Sequence, residues 1–228
     1  LAHAAIHALR RSANTPALLK LLDAPSTDPL RPLALRAAAE QFDLSLVDGL
    51  IERLAQDKDA ARRREYADLL TRIHRQPGPW VYWNYRPGPR PANTEPWERT
   101  DAIAVALNVA LADPDHPTRL AILRRMQRER IPPAGEALGK WLAEEQDNER
   151  VAAILASLGE LPIAGVRKMM EPLIRDRQSG QRLNALGIFV RDIDAVGADG
   201  LLSLAEALED GPVLADALRR MGRIPLFP

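Results

Sequence analysis

Small and aliphatic residues recur along this chain at three- and four-residue intervals, the spacing of one face of a helix. The pattern comes in copies. Segments beginning at Arg31, Arg62, Arg119, Arg150 and Arg182 each open on arginine and continue through Ala, Leu and Ile. A sixth copy at Leu214 lacks the arginine. Most are preceded by a short polar run such as Asp115-His-Pro-Thr or Asp147-Asn-Glu. Successive openings lie 31, 57, 31, 32 and 32 residues apart, so one step is about 25 residues too long. Between them lies a second set of helical segments: 16–22, 45–55, 97–112, 134–143, 163–175 and 201–208. Thr15-Pro16, Asp28-Pro29 and Glu95-Pro96 predict helix starts, with proline in the first turn, where its missing N–H costs nothing. Pro172 predicts a kink or a break.

Helices this short are marginal alone in water, and their stability must come from stacking one pair on the next. The expected fold class is therefore all-α: an α-α superhelix of about six helix pairs over residues 1–228. Leu1 to Arg11 reads as a helix already under way and the end at Pro228 shows no obvious finish, so the chain is expected to be a piece of a longer polypeptide.

The long step holds a different kind of sequence, RQPGPWVYWNYRPGPRPANTEPW, from Arg75 to Trp97. Five of the ten aromatic residues and six of the 19 prolines fall there. Residues 75–96 are expected to form one inserted loop, stiffened by proline. Trp and Tyr are enriched at interface hot spots, and a stiff loop loses little entropy on binding. Trp80, Tyr82, Trp83, Tyr85, Arg86 and Arg90 are the candidate partner-binding residues. Against this stands a structural role, in which the rings fold back and fill the gap the insertion opens. Some rings can be buried while others are presented.

Composition narrows the partners. Aromatic residues make up only 4% of the chain, so Ala and Leu carry the core. Thirty-one basic residues balance 31 acidic ones, which leaves no global field to attract nucleic acid or anionic membrane. Residues 61–130 are locally basic, with 13 arginines against eight acidic residues. A nucleic-acid surface, with the insertion's rings stacking on bases, is the alternative this suggests. Arg62-Arg63-Arg64 cannot all face one way on a helix, and solvated faces account for the run more simply. Arginine exceeds lysine 27 to 4, a bias attributed to codon composition. The chain has no cysteine, which excludes disulfides, thiolate metal sites and covalent c-type haem attachment within it. No run of 18 apolar residues occurs.

The Asp…Arg…Ala-Leu pattern, as in Asp115…Arg119…Ile122-Leu123 and Asp147…Arg150…Ala153-Ile154-Leu155, resembles HEAT-repeat α-solenoids over nearly the whole length. The insertion, PGPWVYWNYRPGPRPANTEPWERTDAI, looks like a segment of large planctomycete and verrucomicrobial multidomain proteins that combine a dehydrogenase-like propeller, HEAT repeats and a haem domain. That resemblance implies an exported, cell-envelope protein in which this region is a spacer. It transfers neither haem binding nor dehydrogenase activity, because no CxxCH motif is present.

Other candidate chemistry is thin. His3 and His7 lie i, i+4, but Ala4 stands where a zinc protease has its glutamate. Asp192-Ile-Asp194-Ala-Val-Gly197 opens like a calcium loop but has Val196 and Ser203 at ligand positions; it reads as an interhelical turn. His74 and His116 flank the insertion with nothing to orient them. No catalytic residue, metal site or cofactor is assigned. The function expected is a non-enzymatic scaffold and protein-interaction module. Nucleic-acid binding or DNA-base excision and a carbohydrate-binding surface are the alternatives.

Overall fold

The computed structural model describes residues 2–12, 14–25, 27–83, 86–191 and 193–222, of which 2, 3, 12, 83, 86, 87, 164 and 193–199 are described by their backbone alone. Among the described residues there are 13 helices and four strands of two or three residues. The fold is all-α, built of helical hairpins. It divides into two compact units, residues 1–132 and 133–228.

The first unit comprises α1 (Ala2–Ser12), α2 (Thr15–Leu22), α3 (Arg31–Ala38), α4 (Leu44–Gln56), α5 (Ala60–Arg72), then α6 (Thr100–Ala110) and α7 (His116–Arg128) beyond the insertion. Three consecutive pairs, α2/α3, α4/α5 and α6/α7, pack as hairpins. First helices stack on first helices, α2 on α4 on α6; second helices stack likewise, α3 on α5 on α7. Helix α1 lies against α3. Leu22, Leu46, Leu50, Leu70, Ile103 and Leu107 are fully buried between the two layers. Burying a side chain of this size contributes about 1.5–3 kcal/mol, and only neighbouring pairs can supply the surface.

The second unit repeats the scheme with α8 (Gly135–Glu144), α9 (Asn148–Gly159), α10 (Ile163–Arg175), α11 (Arg182–Phe189), α12 (Ile193–Glu206) and α13 (Pro212–Met221). Its layers are α8 on α10 and α9 on α11 on α13. Leu138, Trp141, Ile154, Met170, Ile174 and Leu186 form its core. Together the units contain the six pairs the period predicts.

Helix starts follow side-chain chemistry more closely than proline. Carboxylates of Asp43, Asp59, Asp115 and Asp147 and the Asn14 amide oxygen accept first-turn N–H groups. Asp28-Pro29 instead forms a turn, Asp28 accepting from the Leu30 N–H at 2.8 Å, and α3 begins at Arg31. Helix α6 begins at Thr100, four residues past Pro96. Helix α10 runs through Pro172 to Arg175, with the Asp176 N–H still donating to the Pro172 carbonyl at 3.0 Å. So near a helix end, a proline forfeits a single bond without stopping the helix. Residues 193–200 are helical, not an interhelical turn: α12 starts at Ile193 and includes Gly197 and Gly200. Asp192 lies outside the described residues, and Asp194 and Val196 are described by backbone only.

The inserted loop is a ribbon. Strand β1 (Gln76–Pro77) pairs antiparallel with β4 (Asn93–Glu95), and β2 (Tyr82–Trp83) with β3 (Arg86–Pro87). The two short ladders are bridged by Gly78 N–H to the Ala92 carbonyl (3.1 Å) and Gly88 N–H to the Val81 carbonyl (2.9 Å). Pro79, Pro89 and Pro91 lie between the ladders and cannot donate, which explains why the pairing is interrupted.

Candidate functional site

The repeated arginines have a common structural task. The last carbonyls of a helix lack intrahelical donors. Arginine from the following helix donates at that end or just beyond it: Arg31 Nη1 to the Leu22 carbonyl (2.6 Å) and Arg182 Nε to that of Ile174 (2.7 Å) within the helix, Arg63 Nη1 to the Asp57 carbonyl (2.9 Å) and Arg119 Nε to the Asp113 carbonyl past it. The rest of the guanidinium takes a carboxylate. Arg31 pairs with Glu65, Arg182 with Glu209, and Arg150 holds both oxygens of Glu145 at 2.8 and 3.0 Å. Arg63 grips Asp113 through two bonds of 2.5 and 2.8 Å. A planar fork of five donors serves a carbonyl and both carboxylate oxygens in one fixed geometry, which the point charge of a lysine does not reproduce. Part of the arginine excess therefore has a structural cause.

In the second copy the structural arginine is Arg63, one residue beyond the position the period selects. The Arg62 side chain is 29% exposed and pairs with Asp57, whereas that of Arg63 is 10% exposed. Burial pushes the Asp113 carboxyl up, but its hydrogen bonds from Arg63 and the Asp115 N–H outweigh this, and the net shift is downward. Asp57 behaves alike: burial raises it, and Arg62, the Asp59 N–H and Tyr66 bring it below its ordinary value. The Tyr66 hydroxyl is within 3.2 Å of the Leu22 carbonyl and 3.3 Å of Asp57, and burial lifts its pKa to about 12.

The ribbon is fastened where α5 ends. Asn93 Nδ2 donates to the Arg72 carbonyl (2.9 Å), Trp97 Nε1 to Ile73 (2.8 Å) and Thr100 Oγ1 to His74 (2.8 Å). Three consecutive carbonyls at the α5 C-terminus are thus capped by the returning limb. Arg75 donates across the base of the ribbon to the Thr94 carbonyl at 2.9 Å. The Trp97 ring also meets Phe42 edge-on, centroids 5.6 Å apart. Farther along, Arg90 pairs with Glu40 at 3.0 Å, on an oxygen that Arg10 also holds at 2.9 Å.

This fixed base carries exposed apolar side chains. Trp80 is 48% exposed, Val81 60% and Tyr82 67%. The aromatic residues of the insertion therefore divide, with Trp97 packed and Trp80 and Tyr82 in solvent. Arg90 has its charge engaged by Glu40, in a tie between the ribbon and the end of α3. The backbones of Trp83 and Arg86 form the ladder facing each other, their side chains being undescribed, and Tyr85 lies outside the described residues.

His74, at the ribbon root, is buried; burial first, and Arg75 beside it, hold its pKa below the ordinary histidine value. His7 is exposed on α1, and the side chain of His3 is not described. Among the described residues no three potential metal ligands come together. No described helix is long and apolar enough to cross a membrane.

A groove of about 530 Å³ opens on the second-helix layer of the first unit, across α3, α5 and α7. Leu35, Ala39, Leu69 and Ile122 contribute apolar walls, and Arg36, Arg64, Arg72 and Arg125 its positive charge. Arg72 also holds the ribbon through its carbonyl, and Glu40 adjoins Ala39, so the ribbon borders one end of the groove. Periodicity along the chain could not reveal this groove, because its walls come from three segments far apart in sequence. The chain matches no family model, no curated protein and no solved structure.

Proposed function

We propose that this chain is a non-enzymatic, HEAT-like scaffold whose inserted ribbon is its contact surface for another protein, either a neighbouring domain or a separate chain. The observation that carries the reading is the contiguous exposure of Trp80, Val81 and Tyr82 on a ribbon with a fixed base. A large apolar side chain gains about 1.5–3 kcal/mol on full burial, and here three neighbours forgo much of that gain while Trp97, in the same segment, is part-buried against Phe42. A pre-positioned aromatic cluster loses little entropy on docking, and truncating such anchors costs an interface about 2 kcal/mol or more each. The HEAT assignment rests on the 31–32-residue step and the Asp…Arg pattern; export to the cell envelope rests on the resemblance of the insertion.

Photo-crosslinking tests the reading. A photoreactive residue at position 82 in the full-length protein in its native host should capture one protein partner, or an intramolecular site in another domain. The same residue at Lys140, also exposed, should not. Loss of the position-82 product in a Trp80→Ala background supports a hot spot. Equal yields from positions 82 and 140 would overturn it. Carbohydrate remains the second reading of the rings, and a shift of tryptophan fluorescence on adding oligosaccharides, abolished by Trp80→Ala, would favour it instead.

A further inference from the structure

The groove across α3, α5 and α7 has a charge balance that the ribbon does not explain. Its two acidic residues are engaged: Glu65 pairs with Arg31, and Asp68 is held by Arg72 at 2.8 Å and Arg125 at 2.6 Å. That accounts for Arg72 and Arg125 as well. Arg36 and Arg64 remain, on adjacent helices, both exposed. Neither has a carboxylate partner among the described residues, and Arg64 makes only a 3.3 Å bond to the Ala60 carbonyl of its own helix. The same groove is lined by the apolar side chains of Leu35, Ala39 and Ile122.

We infer that this groove binds an acidic, leucine-type peptide segment, its carboxylates reaching Arg36 and Arg64 and its apolar side chains the groove's apolar lining. Charge complementarity selects the occupant. Two uncompensated guanidinium groups suit two carboxylates, each able to take a forked pair of bonds. Nucleic acid is disfavoured by the same count, since its affinity rests on neutralising many phosphates together and its bases gain nothing from an aliphatic wall. Neither Trp80 nor Tyr82 lines the groove, so the two surfaces can stand or fall independently.

The test uses the whole 228-residue chain and a fluorescein-labelled 12-residue peptide alternating Glu and Leu, followed by anisotropy. Three other probes accompany it: an alternating Lys and Leu peptide, a 12-nucleotide single strand and a 12-base-pair duplex. The acidic peptide should bind, weaken as salt rises, and lose at least tenfold in affinity in Arg36→Glu/Arg64→Glu. It should be unaffected by Lys140→Glu and by Trp80→Ala. Arg36→Gln/Arg64→Gln, which removes the charge without reversing it, should give an intermediate loss. Both sites are exposed, so circular dichroism of each variant should match the parent. Unchanged binding in the charge-reversed variant, preference for the basic peptide, or no binding at millimolar peptide would overturn the inference. Tighter binding of either oligonucleotide, lost in the same variant, would assign the groove to nucleic acid and overturn it too. Loss with Trp80→Ala alone would move the peptide to the ribbon, with the same consequence.

Discussion

Replacing Arg63 by alanine should destabilise residues 1–132 far more than the same change at Arg62, although the two are adjacent on α5. Arg63 makes a buried two-bond pair with Asp113 and also caps the Asp57 carbonyl. Removing one member of a buried pair strands the other, at about 3–5 kcal/mol. Arg62 is more exposed, and Asp57 keeps the Asp59 N–H and the Tyr66 hydroxyl without it. Its loss should cost no more than about 1 kcal/mol. Total stabilities of domains are about 5–15 kcal/mol, so the first change threatens the unit and the second does not. Urea unfolding followed by tryptophan fluorescence in a Trp141→Phe background isolates this unit, because the other three tryptophans all lie within it. The pH dependence adds a second signature. Asp113 has a folded pKa below its unfolded one, so its contribution is present above about pH 4 and is lost as pH falls through the folded value. Without Arg63, burial of Asp113 is countered only by the Asp115 N–H and the charge of Arg119, and acid sensitivity should begin at higher pH. Equal costs for the two alanine variants, or an unmoved acid transition, would refute the reasoning.

Other outcomes follow from single contacts. His74 is buried with a lowered folded pKa, so the unfolded state takes up the proton first; stability should fall as pH drops below about 6.5, and His74→Gln should remove that limb from a pH series of melting curves. Tyr66→Phe removes a buried hydroxyl's bonds to Leu22 and Asp57 and should cost about 1 kcal/mol in urea titrations. In absorbance at 295 nm, Tyr66 should stay protonated at pH 11, since its pKa is about 12. Trp97→Phe leaves the Ile73 carbonyl without its donor and should speed amide exchange across residues 93–100, while Trp80→Ala/Tyr82→Ala should leave melting unchanged.

Much of the helical plan is legible in the chain, because stacked pairs must present apolar faces at regular intervals and capping aspartates mark the starts of α4, α5, α7 and α9. Sequence spacing stops short of geometry at particular places. Arg62 and Arg63 are alike in composition, and only the rotation of α5 decides which one points inward. The start of α12 is hidden by Gly197 and Gly200, each of which costs a helix about 1 kcal/mol and so reads as a break. Trp80 and Trp97 both follow proline, yet one finds a helix C-terminus in need of a donor and the other does not. The ribbon pairing is masked by prolines that interrupt it. The groove depends on which faces of three distant helices meet.

Because the chain has no cysteine, a single introduced thiol reports on one position alone. Maleimide labelling of Tyr82→Cys in the native protein tests the ribbon's presentation most directly, with Leu50→Cys as the buried reference. The account predicts a rate at position 82 within about tenfold of that in urea, and one at position 50 slower by orders of magnitude, since buried sites react only through rare opening. A native rate at position 82 as slow as that at position 50 would contradict it.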